Sequence, residues 1–179
     1  MMLHETFMRI ALEMAEEAER QGDIPIGAVV AREGRIIAKA CNRREADSDP
    51  FAHAEMLALQ EAAKVLGRRR LGDCILYVTL EPCPMCAGAL IMASLGMCYF
   101  AARDERQGCV ESVYALPQDP AFYHRVPCVG GLLEEEAKAL LKRFFQGCRS
   151  GPASRLDMSG AAALKRKPAP PAAGFGSTE

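Results

Sequence analysis

The chain has 179 residues, 50% of them hydrophobic and 25% charged, with a formal net charge of −1; this is the makeup of one globular domain, not of a fibre or an unstructured polyelectrolyte. No run reaches the roughly 18 apolar residues that a membrane span needs, and the first segment carries Glu5 and Glu16 instead of a basic-then-apolar leader, so a cytoplasmic protein is expected. The near-zero net charge supplies no global field for nucleic acid, and any RNA contact has to come from a local patch.

Phe7, Ile10, Ala11, Met14, Ala15 and Ala18 recur at helical spacing and predict an amphipathic helix over about 5 to 21, ended by Gly22 and Asp23. Ile24 to Ala31, the turn Glu33-Gly34 and Arg35 to Cys41 read as a β-hairpin, with Asn42 at its end. Ala52 to Leu66 is free of Gly and Pro and rich in Ala, Leu, Glu and Met, which predicts a buried helix closed by Gly67. Ile75 to Leu80 is a short apolar run suited to a strand covered on both faces. Pro84 suits a helix start, and Met85 to Ser94 supplies the third helix.

Gly96 to Ala101 predicts another strand, followed by a loop and a short strand. Leu133, Ala137, Leu140, Leu141 and Phe144 form the stripe of a last helix ending at Gly147. Helices interleaved with strands predict an α/β fold of three layers, α/β/α, around a mixed sheet of about five strands. This domain is expected to occupy residues 1–150. From Gly151 to Glu179 the chain turns to Ala, Pro, Gly and Ser and reads as a disordered tail.

Cys41, Cys74, Cys98 and Cys128 sit in or beside apolar runs and read as core thiols. Arg43–Arg44, Arg68–Arg69–Arg70, Arg103 with Arg106, and Lys142–Arg143 are modest basic patches, each by itself a solvated surface.

The chemistry concentrates in two places, His53-Ala54-Glu55 at the start of the second helix and Pro82-Cys83-Pro84-Met85-Cys86 at the start of the third. Cysteines three apart at a helix N-terminus share a face, and the helix dipole favours their thiolates. With His53 they make a one-nitrogen, two-sulfur set typical of tetrahedral zinc. Three ligands leave the fourth position to water, whose pKa zinc lowers to about 7. Glu55, two residues from His53, does not share its face of a regular helix, so it is expected to act as a proton carrier and not as a ligand. HxE and CxxC are each uninformative alone; their conjunction across a strand is the zinc-deaminase signature.

On these motifs, and on Ile24-Pro25-Ile26-Gly27-Ala28-Val29, Asp49-Pro50-Phe51-Ala52, Leu76 through Gly88, Ala102-Arg103-Asp104 and His124-Arg125-Val126, the chain resembles the bacterial tRNA-specific adenosine deaminases of the cytidine-deaminase superfamily. The resemblance runs from about Met8 to Arg149. It implies one zinc per subunit on His53, Cys83 and Cys86, with Glu55 as the catalytic proton carrier. It further implies that Asn42, Ala54, Arg103, Asp104, His124 and Arg125 contact substrate, that the partner is a tRNA anticodon stem-loop, and that the protein is a homodimer. The implied reaction is hydrolytic conversion of adenosine to inosine at the wobble position.

The chain departs from the family pattern at Gln107-Gly108-Cys109-Val110-Glu111 and at Tyr123. Guanine deaminases share HAE and PCPMC, so a free purine base or nucleoside stays open as an alternative substrate. A non-catalytic zinc-stabilised RNA-binding module is a third reading, against which Glu55 speaks.

Overall fold

The computed structural model describes residues 2–150, so the tail expected from Gly151 lies outside the described residues. Its elements are α1 (Met2–Arg20), β1 (Gly27–Arg32), β2 (Arg35–Cys41), α2 (Ala54–Leu66), β3 (Cys74–Leu80), α3 (Pro84–Met92), β4 (Met97–Ala102), β5 (Cys128–Val129) and α4 (Glu134–Ser150). A 3₁₀ turn at Leu116–Gln118 interrupts the long β4–β5 connection.

The order and type of the elements match the expectation, and the differences at their ends have local causes. β1 begins at Gly27 and not at Ile24, because Pro25 has no N–H to give a ladder and the Ile26 N–H closes a tight turn onto the Ile24 carbonyl at 2.8 Å. α2 begins at Ala54 and not at Ala52, because Asp49 gathers the preceding backbone: its carboxylate accepts the Phe51 N–H at 2.8 Å and its carbonyl the Ala52 N–H at 3.2 Å. α3 stops at Met92 as Ser94 enters the left-handed region at φ 48°. Gly67 closes α2 in the same region at φ 62°, with the Arg68 N–H bonding the Ala63 carbonyl.

The sheet order is β2-β1-β3-β4-β5. β1 pairs antiparallel with β2 and β3, whereas β3–β4 and β4–β5 are parallel. The hairpin turns on Glu33 and Gly34, both at positive φ (50° and 74°), the geometry that matches strand twist in a two-residue loop. Strand residues alternate between two cores. Ala28, Val30, Leu76, Val78, Cys98 and Phe100 pack with α2 and α3, and Val29, Ala31, Tyr77 and Ala101 pack with α1 and α4. β3 is therefore buried on both faces, as its continuous apolar run requires. Cys41, Cys74 and Cys98 are buried as expected, and Cys128 is half-buried against the same core.

Among the described glycines Gly27 permits the closest approach, since a Cβ there would lie 2.0 Å from the Ala11 carbonyl oxygen and 2.5 Å from the Ala15 nitrogen. The α1 backbone thus rests directly on β1.

The pairing directions decide where function can sit. β1 alone runs against the others, so β2, β3 and β4 all end at one edge of the sheet. Asn42, Glu81 to Cys86, and Arg103-Asp104 follow those three strand ends directly. In open α/β sheets the crevice outside the strand carboxyl ends is where ligands bind.

Candidate metal centre

His53 and Cys83 are the N-caps of α2 and α3, each with extended backbone (φ −74°, ψ 147° and φ −69°, ψ 175°). An N-cap side chain faces the free N–H groups of the first turn. Here Cys83 makes no capping hydrogen bond through its sulfur, and Cys86 lies one turn into the helix on the same face. The His53 Nδ1 lies 3.6 Å from the Cys83 Sγ and 3.6 Å from the Cys86 Sγ. These three ligand atoms lie within 4.8 Å of one another and form the one metal-capable cluster among the described residues.

The spacing fits a tetrahedral zinc ion. Zn–N near 2.0 Å and Zn–S near 2.3 Å at a tetrahedral angle put nitrogen and sulfur about 3.6 Å apart. The protonation pattern is that of a shared site. A hydrogen bond from Cys86 holds the Cys83 thiol down to about 4, and that bond together with burial pushes the Cys86 thiol up. His53 is raised by its hydrogen bond with Cys83, with the nearby Glu55 charge adding to this against the effect of burial.

Glu55 is 4% exposed and its Oε2 has no hydrogen-bond partner. Burial raises its pKa. It stands outside the three-ligand cluster, two residues along the chain from His53. An orphaned buried carboxyl is costly, and at the rim of a three-ligand metal cluster it marks a group whose partner arrives with ligand.

The remaining candidates occupy the surrounding loops. Asn42 is buried, and its Nδ2 donates to Asp23 Oδ1 at 2.6 Å. Asp23 also accepts the N–H groups of Ile24 (2.9 Å), Glu45 (2.8 Å) and Ala46 (3.3 Å), so one carboxylate fixes both Asn42 and the loop after β2. Ala54 is fully buried between the metal-side His53 and Glu55. Arg103 pairs with Glu111 at 3.2 Å and Glu134 at 3.5 Å. Asp104 turns the chain by accepting the Arg106 N–H at 2.9 Å and the Gln107 N–H at 3.2 Å. The His124 Nε2 lies 2.8 Å from the Leu95 carbonyl oxygen, against the chain that leaves α3. Arg125 is exposed, with no ion pair among the described residues.

Each basic patch is partly neutralised: Arg43 pairs with Asp47, Arg68 with Asp73 and Arg143 with Glu19. Arg44, Arg69, Arg70 and Arg106 carry no ion pair among the described residues.

Sequence reasoning missed two buried acids. Asp23 reads as a helix terminator, and Glu81 falls within the family-like run Leu76 through Gly88 with no role of its own. The signal was faint: each is a lone acid directly before an apolar-Pro or Pro-Cys step at a strand end.

The description "cytidine and deoxycytidylate deaminase zinc-binding region" fits residues 1–102 of the chain. The tRNA-specific adenosine deaminase of Bacillus subtilis (strain 168) is 46% identical over 145 residues, 81% of this chain and 90% of that protein. A structure solved in a study of A-to-I editing by tRNA:A34 deaminases superposes with a TM-score of 0.73 at 40% identity, over 76% of this chain and 99% of the other. The guanine deaminase of Nitrosomonas europaea superposes at 0.65 with 28% identity, over 78% and 83% of the two chains. The chain belongs to the cytidine and deoxycytidylate deaminase family of zinc-binding deaminases, among the relatives of the bacterial tRNA-specific adenosine deaminases.

Proposed function

We propose that this protein hydrolyses adenosine to inosine at the wobble position of a tRNA anticodon loop. The observation that carries the reading is the pairing of a three-ligand cluster within 4.8 Å with a buried carboxyl whose Oε2 has no partner. A structural zinc site would fill four positions with protein ligands and has no use for the carboxyl. The relatives that bear the name tRNA-specific adenosine deaminase support the substrate.

His53 through Nδ1, and Cys83 and Cys86 through Sγ, would hold the zinc. When bound, the ion supplies a water acidic enough to be a nucleophile near neutral pH. Glu55 Oε2 takes up a proton at the reacting centre and hands it to a ring nitrogen of the adenine. The C6 amino group leaves as ammonia, water having supplied the oxygen, so one adenosine and one water give one inosine and one ammonia. Asn42, held by Asp23, and the Ala54 backbone at the start of α2 would orient the base. Arg103, Asp104, His124 and Arg125 would line the approach.

An anticodon loop suits such a site because its unstacked bases enter a pocket at low cost. The unpaired Arg44 and Arg106 on the loops after β2 and β4 supply local positive charge where the chain as a whole has none. Homodimeric assembly, one zinc per subunit and a cytoplasmic location belong to the same proposal. No described helix is long and apolar enough to cross a membrane.

The test is incubation of the zinc-loaded protein with an ACG anticodon stem-loop, free adenosine and guanine side by side, followed by mass identification of products. Inosine in the stem-loop supports the reading. Xanthine from guanine with an unaltered stem-loop refutes it in favour of a free-base deaminase.

A further inference from the structure

Glu81 stands between the end of β3 and Cys83, 2% exposed, with its backbone N–H bonded to the Ala102 carbonyl at the end of β4 (2.8 Å). Its carboxylate points into the loop that follows β4. Oε1 accepts the N–H groups of Val110 (3.2 Å), Glu111 (2.7 Å) and Ser112 (2.8 Å). Oε2 accepts the Asp104 N–H at 3.0 Å and the Ser112 hydroxyl. Four backbone donors and one hydroxyl thus converge on one buried anion. Such charge-assisted bonds are about twice as strong as neutral ones.

The loop has little else to shape it. Residues 103–115 contain no helix or strand, and Glu105, Arg106, Gln107, Ser112 and Val113 are exposed. Cys109 and Val110 alone in the stretch 104–112 insert apolar side chains into the core. The chain passes directly over the carboxylate at Gly108, where a Cβ would lie 2.3 Å from Glu81 Cδ and 2.5 Å from the Asp104 carbonyl oxygen. The Cys109 N–H is bonded to the Pro82 carbonyl at 2.9 Å, so the loop is also stitched to the residue before Cys83. Glu81 therefore joins two things at the same edge of the sheet, the segment that delivers a metal-side cysteine and the loop that carries Arg103, Asp104 and Arg106.

We infer that Glu81 is a positioning residue for RNA: by templating the backbone of residues 104–112 it holds a preformed wall beside the metal centre, against which the loop nucleotides of the substrate are received. The inference rests on the RNA reading above. Glu81 acts through the loop, so its loss weakens substrate capture and leaves the proton chemistry of Glu55 in place. Preorganisation of this kind appears in binding because an unshaped loop has to be ordered by the substrate itself.

The experiment compares wild type with Glu81→Gln and Ser112→Ala. Gln keeps the shape, but one of its two terminal atoms becomes a donor facing the N–H groups of Val110, Glu111 and Ser112 or that of Asp104. Zinc content is measured first, then steady-state kinetics on the anticodon stem-loop, then amide hydrogen exchange over residues 103–113. With zinc content unchanged, Glu81→Gln is expected to raise KM about tenfold, with kcat within about threefold, and to speed exchange across 104–112. Ser112→Ala, on an exposed residue, should move KM and exchange the same way by about threefold, and it carries the test should Glu81→Gln fail to fold.

Unchanged KM in zinc-loaded protein, a fall in kcat with KM unchanged, or unchanged loop exchange would each overturn the inference. A wild-type enzyme inert on the stem-loop would instead overturn the RNA reading beneath it, a result distinct from unaltered exchange in an active enzyme.

Discussion

Replacing Glu55 with Ala should abolish activity while hardly moving stability, and the disproportion follows from its surroundings. The carboxyl is 4% exposed and its Oε2 has no partner. Leaving a buried polar group unsatisfied costs about 1–3 kcal/mol. Truncation to Ala removes that cost and forfeits the one buried Cγ methylene, about 0.8 kcal/mol. The two effects leave a net change within about 2 kcal/mol, a melting shift of at most about 8 °C for a domain of this size. Loss of a positioned proton carrier lowers the rate about 10²- to 10⁴-fold, or roughly 3–5 kcal/mol of barrier. The assay is inosine release from nuclease-digested stem-loop, beside thermal melting of metal-stripped protein and zinc analysis of the loaded form. A Glu55→Ala protein that deaminates within about threefold of wild type, or one whose metal-free form melts more than about 10 °C lower, would show that the carboxylate is structural and refute the reasoning.

Other perturbations probe the frame around the site. Gly27→Ala drives a methyl into the α1 backbone, 2.0 Å from the Ala11 oxygen, and should cost about 1–3 kcal/mol; calorimetry showing an unchanged melting temperature would contradict the packing described. Asp23→Ala strips the Asn42 amide and the Ile24, Glu45 and Ala46 N–H groups of their acceptor, so it should lose about 1–3 kcal/mol of stability and raise KM. Urea melts and kinetics check both effects. Arg143 bonded to Glu19 holds that carboxyl below its ordinary 4.5. A depressed folded pKa means that the stabilisation is present above 4.5 and fades as pH falls below it. Because Arg143 is largely exposed, the effect is at most about 1 kcal/mol. The stability difference between wild type and Glu19→Gln should vanish in acid, and a difference independent of pH would refute the pairing.

Much of the fold was legible because its signals are local. The stripe Phe7, Ala11, Ala15, Ala18 is buried as its spacing requires, and Glu33-Gly34 forms the two-residue turn that its Gly announces. HxE and PCxxC could be read for the same reason: the chemistry sits at two helix starts, each specified within five residues. What could not be read is long-range. Glu81 meets its partners 23 to 31 residues away, in a loop with no periodicity, and Asp23 meets Asn42 at a separation of 19. A lone acid in a sequence carries no mark of how many backbone N–H groups will converge on it. Likewise Arg143 reads as part of an open basic patch until folding brings Glu19, at a separation of 124, against it.

X-ray absorption at the zinc edge of the purified protein probes the open metal corner most directly, with Cys83→Ala alongside. The geometry predicts a shell of two sulfurs and light N/O atoms in wild type, and loss of zinc from Cys83→Ala. Protein that takes up no zinc, or a closed shell of four sulfurs, would contradict it.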